Sequence, residues 1–378
     1  MRQKTKLIHG GRGFDSTTGA VTQPIQLAST FKQDGIGNFI YEYGRTGNPT
    51  RSALEELLAD IEYGTDGFAF SSGMAAITAV MKLFAQGDHI VVTDDVYGGT
   101  YRLFSNVLHK EGIHVSFVDT TDLLALEAAI LPETKAIFLE TPTNPLLKVT
   151  NLFKVTELAK HHQLLTIVDN TFSTPYWQNP LRLGADIVLH SATKYLGGHS
   201  DVVAGAVIVK DSSLASQLGY IQNATGAVLG PSDSWLLMRG IKTLGIRMEE
   251  IETSSRQLVK FLQSHPSVTK VYYPGLVKHS GHAIHALQAR GYGGIISFTV
   301  SSEEIALNTT NNTHYFTLAE SLGAVESLIS IPAKMTHASI PKDRREQLGI
   351  TDSLIRISVG LEDVEDLAED LEIALTHK

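Results

Sequence analysis

Hydrophobic and polar positions along this chain follow two rhythms in turn. Between about Phe68 and Val209, short apolar runs rich in Val, Ile and Leu recur at 89–94, 136–140, 164–169, 186–190 and 206–209. A short, nearly continuous apolar run suits a strand buried on both faces. The stretches between the runs, such as 74–85 and 152–161, carry helical spacing. Strands that alternate with helices predict an α/β domain built on a mainly parallel sheet.

The flanks read differently. The first fifty residues are rich in Gly, Thr and Asn with little periodicity, and predict an extended, loop-rich arm. A helix follows over 49–61, with Leu54, Leu57, Leu58 and Ile61 on one face. Beyond Pro231 the pattern predicts one long helix over 233–265. Strands at 294–300 and 354–358, with a third at 327–331, predict a smaller α/β unit, closed by an acidic amphipathic helix from Glu362 on. The predicted organisation is therefore an arm (1–50), a large domain (51–235) and a smaller C-terminal domain (236–378). A length of 378 residues agrees with about two cores.

Several predicted strands end on polar residues: Asp94, Glu140, Asp169 and His190. Ligands of open α/β sheets gather at the carboxyl ends of the strands, so these endings point to one shared crevice.

Composition narrows the chemistry. At 43% hydrophobic and 19% charged residues, the chain has the balance of a folded protein rather than a disordered one. No apolar run approaches the roughly 20 residues of a membrane helix. The basic start Met1-Arg2-Gln3-Lys4 leads into no apolar segment, so a signal peptide is not expected and a cytoplasmic location is. The net charge of -9 argues against a nucleic-acid partner. With no cysteine, disulfides, thiolate catalysis and cysteine-ligated metals are excluded, and no metal is expected.

The most informative segment is Ser191-Ala192-Thr193-Lys194-Tyr195-Leu196-Gly197-Gly198-His199, directly after a buried strand. A lysine there is partly desolvated, which lowers its pKa and leaves the amine nucleophilic. The hydroxyls of Ser191 and Thr193 suit a phosphate oxygen. Taken alone, a solvated lysine in a glycine-rich turn explains the segment equally well. Asp169 closes a strand where a buried carboxylate needs a cationic partner, although Asp also commonly caps a helix. Ser71-Ser72-Gly73-Met74 reads as a loop entering a helix, so the N–H groups of Gly73 and Met74 could hold a phosphate; many helices start this way. Tyr97 could stack on a flat ring or simply pack in the core.

Together these residues resemble the Cys/Met metabolism, or trans-sulfuration, family of enzymes that use pyridoxal 5'-phosphate (PLP). The resemblance spans essentially the whole chain. It rests on residues 41–51 (YEYGRTGNPTR), 71–76, 96–100, 140–145 (ETPTNP), 168–171, 191–198 and 354–362 (LIRISVGLE), in the family's order. It implies an α/β fold of the PLP-dependent transferase type I, aspartate aminotransferase-like, with a large and a smaller domain. It also implies that Lys194 carries PLP as a Schiff base and later moves protons. Asp169 would pair with the ring nitrogen, and Tyr97 would stack on the ring. Gly73, Met74, Ser191 and Thr193 would hold the phosphate. Tyr43 and Arg45 would reach the phosphate of a neighbouring subunit, which implies a homo-oligomer, in this family usually a tetramer built as a dimer of dimers. Arg356 would grip the substrate α-carboxylate, assisted by Asn144 and Ser321.

Glu320, Glu42 and Arg102 bear on the reaction. The two glutamates resemble γ-lyases and could hold the distal amine of L-cystathionine, while Arg102 could meet its distal carboxylate; all three could equally be solvated surface charges. The expectation is a cystathionine γ-lyase with homocysteine or cysteine desulfhydration as a side activity. Cystathionine β-lyase and cystathionine γ-synthase are the alternatives. A PLP-binding regulator without catalysis is disfavoured, because the arm carries no helix-turn-helix pattern.

Overall fold

Seven strands form the larger sheet: β1 (Asp66–Phe70), β2 (His89–Thr93), β3 (His114–Val118), β4 (Thr134–Glu140), β5 (Leu165–Asp169), β6 (Ile187–Ser191) and β7 (Gly205–Val209). The computed structural model describes residues 1–11, 15 and 17–376. The strands lie in the order β1-β7-β6-β5-β4-β2-β3. β7 runs antiparallel to both its neighbours, and every other pairing is parallel. From β2 the chain passes outward to β3 and then returns to β4 on the far side of β2. That reversal opens a crevice at the carboxyl ends of the strands.

Strand alternation sorts the core. Phe138, Ile167 and Val207 point to one face and pack with Ile77, Val80 and Leu218 from the helices Gly73–Met81 and Ser212–Thr225. Ile137, Leu139 and Val168 point to the other face and meet Leu152, Val155 and Ala159 of the helix Leu152–His161. Apolar residues on both faces are what made these strands readable as continuous runs.

The smaller sheet has the order β10-β11-β12-β9-β8. Its strands are β8 (Val268–Tyr272), β9 (Ile295–Val300), β10 (Thr317–Leu318), β11 (Leu328–Ser330) and β12 (Leu354–Ser358). β12 is buried along its length and carries Arg356 at its centre. The helix Val364–Thr376 follows it. The expected α/β organisation is thus present, with a large, mainly parallel sheet and a second, smaller one. Among the described residues no helix is long and apolar enough to cross a membrane.

Several elements differ from the sequence expectation. The single helix expected over 233–265 is two helices, Pro231–Lys242 and Leu244–Ser264. They part at Thr243, where side chains take over the last carbonyls: Thr243 Oγ1 and Arg247 Nη2 both donate to Gly240 O, at 3.1 and 2.9 Å. Within the arm, residues Gln3–His9 form a helix. Leu7 is buried there, and Gln3 and Lys6 donate to the carbonyls of Ile61 and Asp60, so tertiary contacts stabilise a helix too short to be read alone. β1, β3, β8 and β10 lie outside the predicted runs. All four are edge strands, short or broken by polar residues.

One close approach ties the sheet to the site. A Cβ on Gly205 would lie 2.0 Å from the carbonyl oxygen of Ser72, just ahead of the helix Gly73–Met81. Gly205→Ala must push that helix entry away from β7. We expect a loss of about 1–3 kcal/mol in unfolding free energy, measured by denaturant titration.

Candidate active site

The crevice at the carboxyl ends of β4, β5 and β6 is a cavity of about 240 Å³ that opens to solvent. It is walled on its other side by the loop 320–322, Thr336 and Arg356 of the smaller unit. Of the residues singled out in the sequence, Gly73, Met74, Tyr97, Asn144, Asp169, Ser191, Thr193, Lys194, Glu320, Ser321 and Arg356 all line it.

Lys194 sits on a tight turn after β6. Its N–H donates to Ser191 O, its carbonyl accepts from Gly198 N, and Thr193 N donates to Ala204 O. The turn aims Nζ across the cavity, 2.8 Å from Ser321 Oγ. Burial pushes the Lys194 amine down to about 8, Arg356 adds to that shift, and Glu320 opposes it. A free-amine fraction therefore exists near neutrality.

Asp169 is buried at the end of β5. Its Oδ1 accepts from Thr171 N and Thr171 Oγ1 at 3.0 and 2.6 Å. Burial raises the Asp169 carboxyl above its ordinary range despite these bonds. Beside it, burial pushes Glu140 well up, and the Asp169 charge adds to that. Glu140 Oε2 accepts from Tyr97 N at 2.9 Å and so fixes the turn that carries the Tyr97 ring. That ring is 37% exposed and lies close over Gly99, where a Cβ would come within 2.4 Å of it.

At the opposite end, Ser72 caps the helix Gly73–Met81 by accepting from Ala75 N at 3.0 Å. The N–H groups of Gly73 and Met74 make no hydrogen bond among the described residues and border the cavity. A Cβ on Gly73 would lie 2.9 Å from that of Ser191, so only glycine lets the helix start meet the Lys194 turn this closely. Free N–H groups at a helix start, near Ser191 and Thr193, form an anion cradle.

Arg356 completes the site. Its Nη1 donates to Asn144 Oδ1 and its Nη2 to Ser321 O, each at 2.9 Å. Its Nε is buried without a partner. Burial pulls its pKa down to about 10. A fixed guanidinium with donors to spare fits a carboxylate.

These features fit PLP. The cradle matches its phosphate, and the desolvated Asp169 carboxylate matches a cationic ring nitrogen. The Lys194 amine matches its aldehyde. The remaining candidates stand outside the cavity wall. Arg45 Nη1 donates to Asn223 O and Oδ1 at 2.6 and 2.8 Å, with Tyr43 exposed beside it. Glu42 and Arg102 are exposed. The sequence reading assigned no role to Glu140, Thr171 or Thr336. Glu140 was visible only as a polar strand ending, and Thr171 only as part of the motif at 168–171. Thr336 lies in a loop with no periodic signal.

The chain is similar to known proteins along essentially its whole length. The family model described as Cys/Met metabolism PLP-dependent enzyme matches residues 4–376. A cystathionine gamma-lyase of Bacillus subtilis is 60% identical over 378 residues, covering 100% of each chain. A cystathionine beta-lyase of Lactococcus lactis is 58% identical over 376 residues, covering 99% of each. A crystal structure of cystathionine gamma-lyase from Lactobacillus plantarum, complexed with L-serine, superposes with a TM-score of 0.98 at 53% identity, covering 99% of this chain and 98% of that one.

The shifted Lys194 amine yields a kinetic expectation. Only the deprotonated amine attacks an aldehyde. The rate at which the apoprotein captures PLP should therefore rise with pH through a midpoint of about 8, not near the ordinary lysine value. Stopped-flow absorbance at a series of pH values measures this, and a midpoint near the ordinary value would contradict the burial argument.

Proposed function

Since the chain belongs to the Cys/Met metabolism PLP-dependent enzymes, we propose that it cleaves L-cystathionine by α,γ-elimination, giving cysteine, 2-oxobutanoate and ammonia. The observation that carries this reading is the Glu320 carboxylate, on the cavity wall and near enough to Lys194 for its charge to oppose the downward shift of that amine. An anion there suits the distal amine of cystathionine. The gamma-lyase name of the Bacillus relative also supports it.

The bound cofactor supplies an electron sink for negative charge developing at the substrate Cα. The protein does the rest. Arg356 holds the α-carboxylate with the donors that Asn144 and Ser321 leave free, and so fixes Cα above the lysine. Lys194, partly deprotonated, takes the Cα proton and can return a proton further along the chain. Ser321 Oγ, within hydrogen-bonding reach of Nζ, orients the amine. Asp169 would hold the ring nitrogen protonated, and Tyr97 would cover the ring face. Ile77, Phe172 and Leu322 line the cavity with apolar surface and limit water.

A second reading is α,β-elimination to homocysteine, pyruvate and ammonia, favoured by the beta-lyase name of the Lactococcus relative. The keto acid decides. Incubating the PLP-loaded chain with L-cystathionine should release 2-oxobutanoate, and pyruvate alone would defeat the γ-elimination reading. Cystathionine formed from cysteine and an acylated homoserine would favour a synthase. Glu320→Ala should change the ratio of the two keto acids; an unchanged ratio would remove Glu320 as the discriminator. Arg356→Ala should raise KM by roughly 30-fold or more, as removal of a buried charge partner does.

We also propose that the chain works as a tetramer, a dimer of dimers whose sites are shared. Val21, Leu27, Ile36 and Ile40 project from the arm almost fully exposed, and Tyr43 and Arg45 follow them. Such an apolar strip needs a covering surface. Arg45→Ala and Lys194→Ala chains should each be inactive yet recover activity when unfolded and refolded together. No recovery would mean that each chain completes its own site.

A further inference from the structure

Beyond the residues that line the cavity, one buried side chain touches the backbone of both of its arms. His337 follows the short turn Pro332–Lys334 of the smaller unit and is 0% exposed. Its Nε2 lies 2.9 Å from Asn144 O, and its Nδ1 lies 2.8 Å from Thr336 Oγ1. A carbonyl only accepts, so Nε2 carries the hydrogen and Nδ1 accepts from the hydroxyl. One neutral tautomer satisfies both bonds. Burial and the nearby Arg356 charge push His337 down to about 3, so the ring stays neutral at any working pH.

The loop that carries His337 also lies directly on the turn that carries Tyr97. A Cβ on Gly98 would lie 2.2 Å from Thr336 O and 3.2 Å from the His337 Cα. Ser339 Oγ donates to Gly98 O at 3.2 Å, and the Val96 carbonyl faces the imidazole. On its other side His337 holds the backbone of Asn144, whose side chain in turn holds Arg356 Nη1.

We propose that His337 is a positioning residue that sets the Asn144–Arg356 pair against the Tyr97 turn and so fixes where the substrate α-carboxylate sits relative to the cofactor ring. This deepens the reading above and rests on it for what the cavity binds. An apolar side chain of similar bulk fills the same space but leaves the Asn144 carbonyl buried and unpaired. That carbonyl must then move, and the Arg356 fork moves with it.

The test uses the full chain loaded with PLP. Parent, His337→Phe and His337→Gln are compared in thermal midpoint, cofactor affinity, kcat and KM. The binding of glycine, a probe with only an α-amine and an α-carboxylate, is read from the cofactor absorbance. The Phe variant should keep its cofactor and weaken glycine binding about tenfold, the order expected for one unsatisfied buried acceptor. KM should rise with it and kcat should change less. The Gln variant can still donate to Asn144 O and should recover most of the loss. Unchanged glycine binding in the Phe variant, equal loss in both variants, or an effect confined to the thermal midpoint would each overturn the proposal. If the Phe variant does not fold, His337→Asn takes its place. Its amide is too short to reach the carbonyl and should weaken glycine binding equally, and parent-like binding there would overturn the proposal. Failure here is distinct from failure of the proposed reaction, because glycine binding is compared with the parent whichever keto acid is released.

Discussion

Burial of charge at the carboxyl edge of the larger sheet is the constraint on which the rest of this structure depends. Two acids, Glu140 and Asp169, stand there out of water on the cavity wall, both with raised pKa values. Facing them, Lys194 and Arg356 are cations whose pKa values burial lowers. In the protein alone, neither group fully neutralises the other. Such an arrangement costs stability unless something bound in the middle completes it. PLP would do so from both ends, offering a cationic ring nitrogen to Asp169 and an aldehyde to Lys194. The apolar faces of the sheet, the Gly73–Ser191 contact and the Gly205 approach to Ser72 hold these charges in place without water.

Much of that site could be read from the chain because each piece is local. Lys194 follows a strand by three residues, Asp169 ends one, and Gly73 starts a helix. Strand and helix periodicity alone puts all of them at one edge of a sheet. Arg356 was a different case. It lies at the centre of a buried strand in the smaller unit, where periodicity would assign an apolar residue, and only the family resemblance marked it. Glu140 acts through a bond from Tyr97 N, far away in the chain, so no local pattern exposes it. The same holds for the break at Thr243, where capping of Gly240 depends on side chains that periodicity does not register.

His337 sharpens this distinction. Nothing in its surroundings, a loop between a single helical turn and a short helix, suggests a role. Its importance comes entirely from three segments that meet in space: Val96–Gly98, Asn144 and Thr336. The larger sheet supplies the first two and the smaller unit the third. The cofactor side of the cavity is therefore built mainly from one sheet, whereas the substrate side is built where the two units touch. Residues of the first kind announce themselves in sequence, and residues of the second kind do not.

This asymmetry also explains why the reaction is harder to read than the family. In the proposed mechanism, withdrawal of the Cα proton uses Lys194, the ring and Asp169, and it is common to β- and γ-elimination. Proteins named for either outcome can then share most of a chain, as identities of 60% and 58% to a gamma-lyase and a beta-lyase illustrate. What separates the outcomes is how the distal part of the substrate is held while charge moves outward from Cα. In the proposed reading that task falls to exposed groups such as Glu320. A site can therefore be nearly fixed in its chemistry at Cα and still be tuned at the mouth by one or two solvated charges, with little cost to the fold.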